Sequence, residues 1–240
     1  MADLFDEMGA SYDAVNLISS FGFSEIWRAQ CVGNLSIRPG SVVADLMAGS
    51  GECWTHLKHR LKAQGKILSV DFSRTMCDRQ SKRLQRFAGS DVTVRCENAL
   101  SLSFSDKSVD FVVSAFGLKT LDDPLLGRFA AEIFRVLRDG GSCSLLEISL
   151  PQAALLRVPY LFYIKTIIPL IGRLFLRNIE CYKMLGVYTE AFGSCKRAAG
   201  QFQKAGFQVQ VKTHFFGCAS SIFGIKPGIG RSFCNQKMQQ

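Results

Sequence analysis

The chain has 240 residues, 48% of them apolar and 20% charged, with a formal net charge of +9. That length closes one sizeable core without requiring a second domain. No run of about 20 uninterrupted apolar residues is present, so a membrane-spanning helix is not expected.

The opening MADLFDEMG lacks the basic-then-apolar order of a secretory signal, and residues 1–35 read as an amino-terminal helical cap. Apolar runs rich in β-branched residues follow at 41–47, 66–70, 92–96, 109–115 and 142–148, separated by stretches of helical composition. Strands alternating with helices predict right-handed crossovers and a doubly wound α/β fold with a mostly parallel sheet, with ligands at the carboxyl ends of the strands. The sequence Arg138-Asp139-Gly140-Gly141 predicts a turn that stops a helix before the fifth strand. After Pro151 comes an apolar and basic insertion over 152–200, then two strands over 207–213 and 217–225 that predict an antiparallel hairpin. Together they make a seven-stranded, Rossmann-like sheet within one domain, 1–226, followed by a tail over 227–240.

Nine cysteines form no C-x-x-C pair, so reduced thiols are expected. Of three histidines, His56 and His59 alone have close spacing, and a structural metal site is not indicated. A catalytic divalent metal stays open.

The informative segment is Asp45-Leu46-Met47-Ala48-Gly49-Ser50-Gly51-Glu52-Cys53-Trp54, a buried strand running into a Gly-x-Gly turn and a helix. Glycines there let the backbone approach a ligand closely. Trp54 stands where a dinucleotide fingerprint has its third glycine, which disfavours NAD. Asp71 and Phe72 end the second strand, with Asp71 placed to accept hydrogen bonds from both hydroxyls of a ribose. A ribose without a pyrophosphate points to S-adenosylmethionine (SAM). Asn98 and Ala99 then belong beside its adenine, and the stretch from Ser114 to Gly117 faces its sulfonium; Asp45, Gly49 and Gly51 complete the candidate cofactor set.

Further residues carry a resemblance: Tyr12-Asp13-Ala14-Val15-Asn16, Ser20-Phe21-Gly22, Trp27-Arg28, Ala115-Phe116-Gly117-Leu118, the stretch from Arg135 to Gly141, Leu146-Glu147-Ile148-Ser149-Leu150-Pro151 and Ile168-Pro169-Leu170-Ile171-Gly172. Across nearly the whole chain they resemble the ubiquinone/menaquinone C-methyltransferases of quinone biosynthesis. That resemblance implies a prenylated quinone as substrate. It also exposes departures: Ser24 where the family has histidine, Glu52 where it has aspartate, and Lys119-Thr120 where it has Arg-Asn. Glu52 is one methylene longer, enough to displace a positioned base, and Lys119 lacks the bidentate fork of arginine. With these changes the loop from Asp45 to Trp54 and the run Ser20-Phe21-Gly22-Phe23-Ser24 resemble the RquA-type branch of rhodoquinone biosynthesis. That branch implies conversion of ubiquinone to rhodoquinone, a ring methoxy group giving way to an amino group with SAM as amino donor, in support of anaerobic metabolism. Glu52 or Asp45 would then take a proton from the SAM amino group, Lys119 would stabilise oxyanion character on the ring, and Tyr12 with Asp13 would gate the pocket. The other readings are a conventional quinone C-methyltransferase and a non-catalytic scaffold of a quinone-synthesis complex. For Lys119 the bland alternative is a solvated lysine; for Tyr12 it is packing.

Residues 155–177 mix Leu, Phe, Tyr and Ile with Arg157, Lys165, Arg173 and Arg177 and are broken by prolines. Such a segment suits peripheral membrane association, as a lid through which an isoprenoid tail enters; a core helix pair or a homodimer surface are its alternatives. Lys82, Arg83 and Arg86 lack interleaved aromatic residues, so nucleic acid is not an expected partner. The expected location is the cytoplasmic face of the inner membrane in a bacterium, or the mitochondrial matrix side in a eukaryote.

Overall fold

A computed structural model of the protein describes residues 20–85, 87, 91–175 and 180–228. Strands β1 (Val42–Leu46), β2 (Lys66–Asp71), β3 (Asp91–Cys96), β4 (Val109–Ala115) and β5 (Leu137–Ile148) pair in parallel. The hairpin of β6 (Gln208–His214) and β7 (Ala219–Ile225) adds antiparallel strands at the β5 edge, giving a seven-stranded sheet in the order β3-β2-β1-β4-β5-β7-β6. The predicted α/β fold and its antiparallel end are therefore present.

Successive residues of each central strand point to opposite faces of a sheet, and both faces are covered here. Val43, Val113 and Leu146 pack under α1 (Phe23–Gly33) and α2 (Trp54–Leu61), through Trp27, Cys31, Trp54 and Leu57. Ala44, Val112 and Leu145 pack under α4 (Asp123–Val136) and α8 (Cys195–Lys204), through Phe129, Ile133 and Phe202. Helix α3 (Arg74–Leu84) begins where the Ser73 hydroxyl accepts the Met76 N–H, and α4 begins where Asp122 accepts the Leu125 N–H, each supplying an acceptor for an otherwise orphaned donor.

Two segments differ from what the sequence predicts. Residues 138–141 do not form a helix-stopping turn: α4 ends at Val136, β5 begins at once with Leu137, and the pairing with β4 slips between Val109 and Phe111. Gly140, at φ 79°, supplies the left-handed residue of this irregularity inside the strand. The insertion is also more regular than its prolines suggest. Helix α5 (Ala154–Phe162) contains Pro159 and continues through a π turn over Tyr163–Ile167 into α6 (Ile168–Phe175); α7 (Glu180–Phe192) follows. Proline removes one helical hydrogen bond, and a wider turn just after it lets the helix proceed. The stretch Ala154–Ile171 is thereby long and apolar enough to cross a membrane by length and composition, with mean hydropathy 1.5. Arg157 and Lys165 break its apolar run, which is why uninterrupted hydrophobicity alone misses it. No residue of α5 is buried, so this helix is not the core element named as one alternative.

Candidate active site

Strands β1 and β4 are sheet neighbours whose following helices lie on opposite faces, the switch point at whose carboxyl ends open α/β sheets take ligands in a crevice. Two non-glycine residues there hold left-handed backbone, Met47 at φ 53° and Phe116 at φ 68°. Such strain persists where surrounding structure imposes it and is concentrated at functional sites. Between them packs Gly117, where a Cβ would lie 2.7 Å from the Met47 sulfur.

The loop after β1 turns on Gly49 (φ 57°) and Gly51 (φ 86°). Trp54, fully buried, donates its indole N–H to Ser69 Oγ at 3.0 Å and lies over Gly51, where a Cβ would meet the ring at 2.6 Å. The residue that replaces a dinucleotide-type glycine thus closes the loop onto the sheet. Gly51→Ala is expected to cost about 2–5 kcal/mol, combining a left-handed alanine with a clash against an immobile ring; urea unfolding measures it.

Asp71, 7% exposed, braces this loop from β2. Its Oδ2 accepts the Gly49 N–H at 2.8 Å and its Oδ1 the Ser73 N–H at 3.0 Å, so the carboxylate expected to meet a ribose also shapes the turn. The Gln80 amide donates to the Gly49 carbonyl at 2.7 Å. Phe72 is half exposed beside it, Asn98 is exposed with its Oδ1 accepting the Leu100 N–H, and Ala99 is buried. Ser114 is fully buried, and its hydroxyl has no hydrogen-bond partner among the described residues.

Asp45 lies at the centre. It is 1% exposed, and neither carboxyl oxygen has a hydrogen-bond partner among the described residues. Burial first, then the nearby charges of Glu52 and Asp71, push its carboxyl well above the ordinary range. Glu52 follows the turn, with Oε1 accepting from Ser50 Oγ at 3.2 Å. Opposite stands Arg28 of α1, buried, its Nη1 donating to Glu25 Oε1 at 2.6 Å and its guanidinium 5.0 Å from the centre of the Phe116 ring. Burial opposes the Arg28 charge, yet Glu52, Cys53 and Glu25 lift its pKa above the usual value. Ser24, in the histidine position of the resemblance, is buried and shares a hydrogen bond with Ser20 at 2.9 Å.

Lys119 is not a solvated lysine. Its side chain is 11% exposed, and Nζ donates to Glu147 Oε1 at 3.1 Å and to the Phe116 carbonyl at 2.5 Å. Glu147, fully buried at the end of β5, also accepts the Lys119 backbone N–H on Oε2 and the Ile148 N–H on Oε1. Glu147 and Arg28, which in the sequence only carry the resemblance, join the site in the fold. A single acid inside the apolar run Leu145-Leu146-Glu147-Ile148 is the signal that marks Glu147, since a buried carboxylate requires a partner. Tyr12 and Asp13 lie outside the described residues. Among the described residues no group of three His, Cys, Asp or Glu side chains has the arrangement to hold a metal ion.

The partnerless Asp45 and Ser114 oxygens, on the neighbouring strands β1 and β4, fit a ligand that brings donors of its own, as SAM does with its ammonium and hydroxyls. Residues 1–226 match the ubiE/COQ5 methyltransferase family. The chain belongs to that family. As a ubiE/COQ5 methyltransferase family member, the protein is a SAM-dependent transferase. It is 32% identical over 226 residues to a demethylmenaquinone methyltransferase of Bacillus cereus, with 94% of each chain covered. A demethylmenaquinone methyltransferase of Lactiplantibacillus plantarum is 35% identical over 225 residues, covering 93% of this chain and 94% of that one. In fold, this family member resembles a SAM-dependent methyltransferase of Thermotoga maritima (TM-score 0.62, 20% identity, 93% of this chain and 98% of that one). It also resembles one of Aquifex aeolicus (TM-score 0.59, 16% identity, 83% and 89%).

Proposed function

We propose that the protein modifies the ring of a prenylated quinone with SAM as co-substrate. The observation that carries this reading is the grouping of Asp45, Glu52 and Arg28 at the crevice, with the Lys119–Glu147 pair on its β4–β5 side. SAM, when bound, supplies either its methyl group or, on the second reading below, its amino nitrogen. Methyl transfer to a ring carbon is supported by the names of the relatives and their near-complete coverage. On that reading Glu52 takes the proton displaced from the ring, and Lys119 Nζ donates to the ring oxygen on which charge develops.

A second reading, conversion of ubiquinone to rhodoquinone with SAM as amino donor, is favoured by two features of this site. Asp45 offers a buried carboxyl without a partner, and the three departures at Ser24, Glu52 and Lys119 fall on polar positions that ring methylation would use. On that reading Asp45 or Glu52 takes a proton from the ammonium, the freed nitrogen bonds to the ring carbon as methoxy leaves as methanol, and Lys119 steadies the ring carbonyl. The quinone ring would then take up the two electrons of the donor Cα–H bond, leaving an imine that water cleaves to the amino-substituted ring and a 2-oxo acid. Either substrate is lipid-soluble, which supports a position at a membrane surface, on the cytoplasmic face of the inner membrane in a bacterium or the matrix side in a eukaryote.

Incubating the protein with SAM and either ubiquinone or a ring-demethylated precursor, then weighing the quinone by mass spectrometry, separates these readings. A methyl group added to the precursor supports methylation. Loss of methoxy with gain of an amino group, labelled when SAM carries heavy nitrogen, supports amination; no product from either favours the scaffold. Glu52→Gln is expected to reduce turnover at least 100-fold in either case while SAM affinity stays within a few-fold, because the amide keeps the shape and loses the base.

A further inference from the structure

The carboxyl end of the sheet carries an aromatic projection made by three separate segments. Between β6 and β7 the chain turns at Phe215 (φ 43°) and Phe216 (φ 55°), consecutive left-handed residues that are 51% and 76% exposed. Glycine or asparagine would hold such a turn with less strain, so the conformation is maintained with two large apolar rings facing water. Phe21, also left-handed at φ 49° and 77% exposed, precedes α1. The outer face of α5 adds Leu155, Val158 and Phe162.

These segments form one surface. Phe21 stacks on Tyr163 with centroids 5.9 Å apart, Phe23 of α1 meets Phe215 at 4.4 Å, and Phe215 meets Phe216 at 5.5 Å. The Tyr160 hydroxyl donates to the Cys218 carbonyl at 3.1 Å, tying α5 to the turn. Because β7 runs antiparallel to β5, with Ala219 opposite Ile148, this turn lies at the same end of the sheet as the Gly49–Gly51 loop. The inner side of the insertion packs on itself and on the fold: Ile164 and Ile168 are buried with Leu185 of α7 against them, and Tyr160 packs against the cluster that holds Trp27 and Val43. A helix anchored on one side and bare on the other suits a position along an interface rather than across it.

We propose that Phe21, Phe215 and Phe216, flanked by the outer face of α5, form a wedge that inserts into an anionic lipid bilayer and seats the crevice against the membrane. Charge selects this occupant. From residue 149 to residue 179 the sequence contains Arg157, Lys165, Arg173 and Arg177 and no acid, and the chain as a whole carries +9. Although Lys165 pairs with Glu190 at 2.5 Å, Arg157 and Arg173 are exposed. A second copy on a two-fold axis would set this basic surface against itself, whereas an anionic leaflet attracts it. The proposal rests on the quinone reading only for what would enter the crevice from the membrane.

Flotation with vesicles tests it without any quinone or turnover. The protein is expected to float with phosphatidylcholine vesicles containing about one-third phosphatidylglycerol, to bind pure phosphatidylcholine at least tenfold more weakly, and to detach as salt rises. Phe215→Ser with Phe216→Ser should weaken vesicle binding tenfold or more with SAM binding and thermal midpoint retained; Phe216→Ser alone, at the more exposed site, should give a smaller loss in the same direction. Unchanged flotation of the double variant overturns the proposal. So does a dimer in sedimentation velocity that these substitutions dissociate while the parent ignores vesicles. A failed quinone assay with intact, phenylalanine-dependent flotation would count against the enzymatic reading alone.

Discussion

Asp45→Asn is expected to weaken SAM binding by about 10- to 100-fold, the loss of one charge-assisted hydrogen bond in a buried site. The carboxyl is almost wholly buried, and no described residue satisfies its oxygens. Calorimetric titration over pH checks the assignment and its sign. Burial raises the Asp45 pKa well above the ordinary range, so the ligand-free protein retains this proton at pH values where the unfolded chain has lost it. The ionised form is the one that pairs with an ammonium, so SAM affinity should tighten as pH rises toward the raised value, and Asp45→Asn should flatten that dependence. Stability responds in the opposite direction. A carboxyl with a raised folded-state pKa lends stability below its unfolded value of about 4, which is lost as pH climbs through the folded one. The stability of Asp45→Asn relative to the parent should therefore improve with pH by up to about 1.4 kcal/mol per unit in that window. Equal SAM affinity for the two proteins at every pH would remove Asp45 from the cofactor site.

Lys119→Ala is expected to destabilise the fold by about 3–5 kcal/mol, because it leaves the fully buried Glu147 carboxylate without its cation. For a chain of this size that corresponds to a fall in Tm of roughly 6–20 °C. Changing both partners, Lys119→Met with Glu147→Gln, removes the uncompensated charge and should recover part of the loss; the rest persists because the Gln NH2 cannot accept one of the two backbone N–H groups that Glu147 holds. Turnover distinguishes a chemical role from a structural one. If Lys119 Nζ also donates to the quinone oxygen, the double variant should fold yet run about 100- to 1000-fold slower, the usual effect of losing one transition-state donor. A stable double variant with near-normal turnover would make the pair purely architectural.

The two sets of residues differ in how they could be read. Asp45, Gly49, Gly51 and Asp71 lie within one strand-loop-helix-strand unit, and their spacing is set by local geometry: a glycine turn after a buried strand, then an acid at the end of the next. Glu147 and Arg28 reach the crevice from β5 and α1, distant in the chain, and no spacing relates either to Glu52 or Lys119. The insertion shows the same division. Its composition marked a surface segment, whereas the continuity of its helix through Pro159 and the ring contacts joining it to Phe21 and Phe215 depend on pairings between segments.

By itself, then, the sequence determined the alternation of strands and helices, the doubly wound sheet with its antiparallel end, the cofactor turn and its lack of a third glycine. These follow from hydrophobic period and local backbone chemistry, which act over a few residues. Only the tertiary structure decided that Lys119 is held by Glu147, that Asp45 is buried without a partner, that residues 138–141 lie within a strand, and that Phe21, Phe215 and Phe216 share one exposed surface. Burial and charge pairing are set by which distant segments meet, and that is fixed when the sheet order places β1 beside β4 and the β6–β7 turn beside α5.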